Sequence, residues 1–317
     1  MKRVMFFLFA AQMFFCGCNN VGSGAAAENS APAAPQKRVV FAYGNSIHFW
    51  GDHENKIFCE LLRDAFNSAA KGRARAETFD LMNSDLSGLS GADAVLVFSE
   101  GEQQHPFKNK LDALKKLNDS GVSFAFFHYA TTPLTKDGEE ALKDIIGGTY
   151  ENFYSVNPSW KADFKLGDSE ILNGVPEFSF YDEIYFNFRF KDGAKIIPIL
   201  KATPPDRVRK FRPGAHTGNK TVRENMGREE VVYWACENSN GTRGAGSAIG
   251  HSVWALNNDA FRTLVLNTAA WLAKMEIPQG GLKSAKPSRG EIISKIEKDL
   301  RADFKDYLKK VDENFYK

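Results

Sequence analysis

The sequence predicts an α/β protein: a doubly wound, mostly parallel sheet with a long insertion after its fourth strand and a C-terminal helix. Three observations predict it. Short apolar runs alternate with segments whose apolar residues recur at helical spacing. One run, "GVSFAFF" (121–127), is short, aromatic and bounded by Gly121 and Pro133, as a strand covered on both faces would be. The alternation fails from Tyr150 to about Glu230, where aromatics, Pro and Asn predominate, and resumes beyond it.

Taken in order, "RVVFAY" (38–43) reads as a strand and "NKIFCELLRDAFNSAA" (55–70) as an amphipathic helix. "ARAETFDL" (74–81) is a second, more polar strand, nearer an edge, and "GADAVLVFSE" (91–100) a third. "KNKLDALKKLNDSG" (108–121) is a helix stopped by glycine, "VSFAFFH" (122–128) the fourth strand, and "GEEALKDIIGG" (138–148) another helix with a glycine stop. Such alternation implies right-handed βαβ units. Inside the insertion, "DEIYFNFRF" (182–190) and "AKIIPILKA" (194–202) read as strands. "EEVVYWACE" (229–237), "AGSAIGH" (245–251) and the helix "NDAFRTLVLNTAAWLAKM" (258–275) resume the pattern. In the tail, Ser288 and Glu291 form a capping box, and an apolar stripe from Ile293 to Phe315 predicts one amphipathic helix packed on the domain or on a partner.

With 43% hydrophobic residues the chain can bury a sizeable core. A net charge of +2 without a basic stripe argues against a nucleic-acid partner. Residues 1–18 read as a lipoprotein signal peptide: a basic start, an apolar stretch, then "FFCGC" as a lipobox with Cys18 as the lipidated residue. Residues 19–36, rich in Ala, Ser, Gly and Pro, read as a flexible tether. The folded domain is expected over 37–282 and the C-terminal helix over 283–317. The protein is therefore expected to be exported and held by a lipid anchor on the periplasmic or outer face of a membrane. Cys59 and Cys236 fall in different elements, so no disulfide is assumed.

There are six histidines, and five follow strands. His48 and His53 follow the first strand, His105 the third, His128 ends the fourth, and His251 ends "AGSAIGH". His216 lies in a polar loop of the insertion. The carboxyl ends of strands in a doubly wound sheet face one crevice, so His53, His105, His128 and His251 are expected to share it. Glu54, Asp182 and Glu183 are the accompanying acids. Imidazoles with a carboxylate suit a divalent metal such as zinc, with these four histidines as candidate ligands. The same groups equally serve as general acid and base near neutral pH, and no H-E-x-x-H spacing chooses between the two. In "YDEIYFNFRF", strand alternation puts Glu183 with Tyr185 and Asn187 on a polar face. Asp182, on the other face, should cap a turn or pair with a base.

The blocks "SIHFWGDHE", "SEGEQQHP", "FFHYA", "SVNPSWKADF", "DEIYFNFRF", "HTGNKTVR" and "WACENSNGTRGAGSAIGHSVWALNNDAFRTLVLNTAAWLA" run in order through about 38–282. Together they resemble the ThuA-like (trehalose utilisation) family, closest to a secreted lipoprotein branch found in planctomycete-type bacteria. The resemblance implies the flavodoxin-like fold of class I glutamine amidotransferases. Those enzymes carry a nucleophilic cysteine in the sharp turn after the strand. Here the turn reads Phe127-His128-Tyr129, so glutaminase chemistry is not expected. The resemblance implies instead an enzyme acting on a keto-sugar or keto-disaccharide by proton abstraction, leading to elimination, hydrolysis or isomerisation, with a sugar dehydrogenase as partner. The alternative is a non-catalytic sugar-binding lipoprotein. His128, Glu183, His53 and His251 are the catalytic candidates. His105, Asn157, Tyr185, His216, Asn219 and Arg223 are candidates for binding substrate, and Trp50, Trp160, Trp234 and Trp254 for stacking on it.

Overall fold

The computed structural model describes residues 36–210, 216–299 and 302–315; Cys18, the expected signal peptide and all but the last residue of the expected tether lie outside them. The N-terminal half builds β1 (Lys37–Tyr43), α1 (Asn55–Ala70), β2 (Ala74–Asp80), β3 (Ala94–Phe98), α2 (Leu111–Asp119), β4 (Ser123–Phe127) and α3 (Lys136–Ile146). The insertion carries β5 (Gly148–Thr149), β6 (Ser159–Leu166), β7 (Phe178–Glu183), β8 (Arg189–Phe190), β9 (Ile196–Ala202), α4 (Asp206–Arg209) and α5 (Lys220–Glu224). Then come β10 (Glu230–Glu237), β11 (Arg243–Ser247), α6 (Asp259–Leu272), α7 (Arg289–Lys295) and α8 (Phe304–Phe315).

One sheet has the order β2-β1-β3-β4-β11-β10-β9-β6-β7. Its first five strands run parallel, in the 2-1-3-4-5 order of flavodoxin-like sheets. Every residue of β3 and β4 is buried, because helices cover both faces, and their sequences are accordingly apolar without alternation. α1 packs with α6, and α2 with α3. α3 starts where the Thr135 side chain accepts the Gly138 N–H, and it stops at Gly147 in the left-handed region. α6 is buried almost all round; Asn267 inside it accepts the Leu282 N–H and donates to the Ile171 and Asn173 carbonyls. Where Trp234 crosses β11, a Cβ on Gly246 would lie 2.1 Å from its ring, so only glycine fits.

Three expectations change. "EEVVYWACE" forms β10, which pairs antiparallel to β11 as a hairpin instead of entering a βαβ unit. "DEIYFNFRF" is not one strand: β7 ends at Glu183, Asn187 turns the chain at φ 63°, and Arg189–Phe190 pairs with β5. Asn tolerates that conformation, and its side-chain amide donates to the Tyr154 carbonyl at 2.7 Å. The tail forms two helices, broken where Ile296 is extended. Ile292 of α7 and Val311 of α8 are buried, and the Trp50 ring meets Phe304 and Tyr307 edge-on at 5.0 and 5.9 Å. α8 lies so close that a Cβ on Gly51 (φ 84°) would sit 2.4 Å from the Tyr307 hydroxyl. Among the described residues no helix is long and apolar enough to cross a membrane.

A candidate active site of converging histidines

β4 delivers His128 into a sharp turn at φ 51°. Its Nδ1 lies 3.1 Å from the Ala248 carbonyl, which can only accept, so Nδ1 carries the proton and Nε2 is left with its lone pair. His53 is presented by the loop after β1, also at positive φ (48°), and its backbone N–H donates to the His251 carbonyl at 2.8 Å. Its Nδ1 is 2.8 Å from Glu100 Oε2. Glu100 stands just beyond β3, at the switch between β1 and β3 where strand order reverses. That carboxylate also accepts the Ile47 N–H at 2.9 Å and lies 2.8 Å from His48 Nδ1, whose ring stacks on His53 at 3.7 Å.

His251 comes from the loop after β11. Asp182 fixes that loop by accepting the backbone N–H groups of Gly250, His251 and Ser252 at 3.2–3.3 Å. The end of β7 therefore folds back over the end of β11. His251 Nδ1 then lies 2.9 Å from His53 Nε2 and 3.2 Å from His128 Nε2, while its Nε2 is 3.6 Å from Asp52 Oδ1. The Tyr307 hydroxyl of α8 donates to that same Asp52 oxygen at 3.2 Å and accepts from Trp254 Nε1 at 3.1 Å.

Burial holds His128 well below the usual histidine range, and repulsion from the neighbouring His53 and His251 imidazoles adds to this. Burial likewise lowers His53 to about 4, against the pull of its Glu100 bond. His251 goes the other way. Burial opposes its charge, but Asp52, Glu183 and Asp182 outweigh it and hold the ring at about 9. For Glu100, burial would raise the carboxyl, yet the bonds from His48 and His53 bring it down to about 2. Burial pushes Asp182 up to about 7 in spite of its backbone donors, and it raises Glu183 as well.

Glu183, the last residue of β7, faces this group: its Oε1 is 3.8 Å from His128 Nε2. Asn157 Nδ2 reaches Glu183 Oε1 at 3.5 Å, and the Tyr185 hydroxyl donates to its carboxylate. Glu183 divides two clefts. One, of about 380 Å³, is lined by Asn157, Ser159, Arg207 and His216; the other, of about 210 Å³, by Asp52, His251, Tyr307 and Lys310. Carboxylate, imidazoles and open clefts on one edge are what proton transfer on a small polar ligand requires.

Some candidates stand elsewhere. His105 is buried, with Nε2 donating to the Ala130 carbonyl at 3.1 Å and Nδ1 accepting the Phe107 N–H, so both ring nitrogens are used by backbone. It does not join the other three. Asn219 caps α5 by accepting the Val222 N–H, and Arg223 Nε donates to the Gly218 carbonyl at 2.8 Å. Trp50, Trp160, Trp234 and Trp254 are at most 2% exposed and belong to the core, whereas Phe49 and Phe153 are 72% and 75% exposed. Tyr185 is buried too; its ring centre lies 4.3 Å from that of His128, so it supports the site and offers no open face. His216 is half-buried in the larger cleft, its Nδ1 2.7 Å from the Tyr150 hydroxyl. The sequence reading missed Glu100, Asp52 and Tyr307. Glu100 had a signal, a carboxylate directly ending an apolar strand, and Asp52 had its place beside His53; Tyr307 had none.

Neither described cysteine reaches the turn at His128: Cys59 is buried in α1 and Cys236 in β10. No curated protein matches the chain. A solved structure of a ThuA-like protein from Bacteroides uniformis ATCC 8492 is similar with a TM-score of 0.52 at 14% identity, over 77% of this chain and 94% of that one. A glutamine amidotransferase from Thermotoga maritima aligns at a TM-score of 0.41 and 8% identity, over 75% and 99% of the two chains. Residues 45–272, which hold the whole histidine group, match the ThuA family, described as trehalose utilisation, and the chain belongs to that family.

Proposed function

We propose that this protein is an enzyme of carbohydrate utilisation that abstracts a proton from a keto-sugar or keto-disaccharide, with Glu183 as the base. The observation that carries this reading is the Glu183 carboxyl facing three imidazoles across one crevice. A ketone at C3 of a sugar ring acidifies the C2–H bond. Glu183 takes that proton, and the C–H electron pair moves onto the ketone oxygen, which the positive charge held on His251 beside His53 and His128 stabilises. When the electrons return, the C1–O bond breaks, and the departing oxygen takes the proton back from Glu183. Water adding to the new double bond completes a hydrolysis; delivering the proton to C3 of the enediol instead completes an isomerisation. The family's description supports a disaccharide as the substrate class. Asn157 and His216, beside Glu183, suit sugar hydroxyls. An NAD-dependent sugar dehydrogenase is the partner class that would supply the ketone.

The test is to incubate the full chain with a 3-keto-disaccharide and follow release of the second sugar. Turnover is expected. Saturable binding without turnover would support a non-catalytic sugar carrier instead.

We propose also that the domain is exported and anchored through lipid on Cys18, at the end of "FFCGC" and ahead of a polar tether. Cys18→Ala should move the protein from the detergent-extracted membrane fraction to the soluble one. An unchanged distribution would contradict the anchor.

A further inference from the structure

We propose that His53 Nε2, His128 Nε2 and His251 Nδ1 are the protein ligands of one divalent transition metal of zinc-like preference, with open positions directed toward Glu183 and the substrate. This deepens the proposed function and rests on it for what the ion does, though not for whether the ion binds.

Distance is the first support. His251 Nδ1 is 2.9 Å from His53 Nε2 and 3.2 Å from His128 Nε2. Nitrogens at about 2.0–2.1 Å from one ion stand about 2.8–3.0 Å from one another at octahedral angles and about 3.3–3.4 Å at tetrahedral ones, and the two distances fall within that span. The second is the state of each ring. A metal-binding imidazole gives its other nitrogen to an acceptor, which fixes the tautomer and aims the lone pair. His128 gives Nδ1–H to the Ala248 carbonyl, His53 turns Nδ1 to Glu100, and His251 turns Nε2 to Asp52. Each ring thus has an acceptor behind it and a nitrogen aimed at the shared centre. Those acceptors are themselves held: Glu100 by the Ile47 N–H and Asp52 by the Tyr307 hydroxyl.

The third is the backbone. His53 and His128 both occupy the left-handed region, a conformation that costs a non-glycine residue energy and recurs at functional sites. All-nitrogen donors without thiolate favour zinc and its first-row neighbours over calcium or magnesium. A second grouping, His48, His53 and Glu100, shares one residue with the first. It would have to draw His53 Nδ1 away from the carboxylate that orients the ring, so the three-histidine centre is the better site.

The experiment strips the full chain with a chelator, dialyses it, and titrates it with Zn2+ and with Co2+ as a visible-absorbing substitute. One ion per chain is expected, with Co2+ bands of nitrogen ligation. His128→Gln and His251→Gln should each weaken binding by about 100-fold or more, and Glu100→Gln by about 10–100-fold; His48→Ala should change it only a few-fold. Circular dichroism verifies that each variant is folded, and His251, on a partly exposed loop, keeps the test open should the His128 variant misfold. Absence of stoichiometric binding would overturn the proposal. So would an ion retained by a folded His251→Gln protein, or one lost on His48→Ala alone. Bound metal without turnover of a 3-keto-disaccharide would sustain this site and defeat the functional reading. Full turnover in metal-free protein would sustain the functional reading and overturn the ion's place toward the substrate, whereas the titration decides whether the ion binds.

Discussion

Glu183→Gln is expected to lower kcat on a 3-keto-disaccharide by about 10²–10⁴-fold, the usual worth of a positioned general base, while melting behaviour stays close to that of the parent. The substitution keeps shape and an acceptor oxygen, so the Tyr185 hydroxyl retains its partner. What it removes is basicity. The carboxyl is only partly exposed, and burial raises it toward the range where a base works near neutral pH. A role confined to gripping sugar would show instead as a raised KM with kcat preserved. Steady-state kinetics on the variant separate the two, and an unchanged kcat would take the base away from Glu183.

The neighbouring residue should behave oppositely. Asp182→Asn is expected to cost on the order of 2–4 kcal/mol of stability in a urea titration, the scale of leaving a buried polar group wrongly paired. Both carboxylate oxygens are engaged: Oδ2 accepts from Gly250 and His251, and Oδ1 from Ser252. Asparagine has one acceptor and would turn its NH2 against backbone donors that already point inward. Turnover measured below the melting transition should fall much less than in the Glu183 variant, since His251 is displaced and not removed. A stable but inactive Asp182→Asn protein would mean that Asp182 touches substrate.

How far such assignments could be made from sequence depends on whether the determinant is local. β4 was legible because burial on both faces forces an unbroken apolar run, and the position of His128 at its end follows from strand length alone. The places of His53 and His251 followed from strand ends in the same way. His105 has the same local signature, yet its nitrogens turn back to backbone at Ala130 and Phe107, a matter of loop path that residue type does not encode. The alternation read through residues 183–190 was coincidental. Tyr185 and Asn187 are as buried as Ile184 and Phe186, because the chain leaves the sheet after Glu183 and is enclosed on all sides. Strand direction was also silent in β10, whose apolar pattern suits either orientation, although Asn240-Gly241 marks the hairpin turn. The contact of Tyr307 with Asp52 joins residues 255 apart and leaves no local trace.

The position of α8 has a consequence for how the molecule is made. Residues 304–315 follow every described strand, so during synthesis the sheet and the loops carrying His53, His128 and His251 leave the ribosome before the helix that backs Asp52. Until α8 arrives, Trp50 lacks the rings of Phe304 and Tyr307 that cover it, and Trp254 lacks its hydroxyl partner. The nascent domain thus presents an aromatic surface beside an unfinished crevice, and docking of α8 is the event that both covers that surface and completes the support of Asp52.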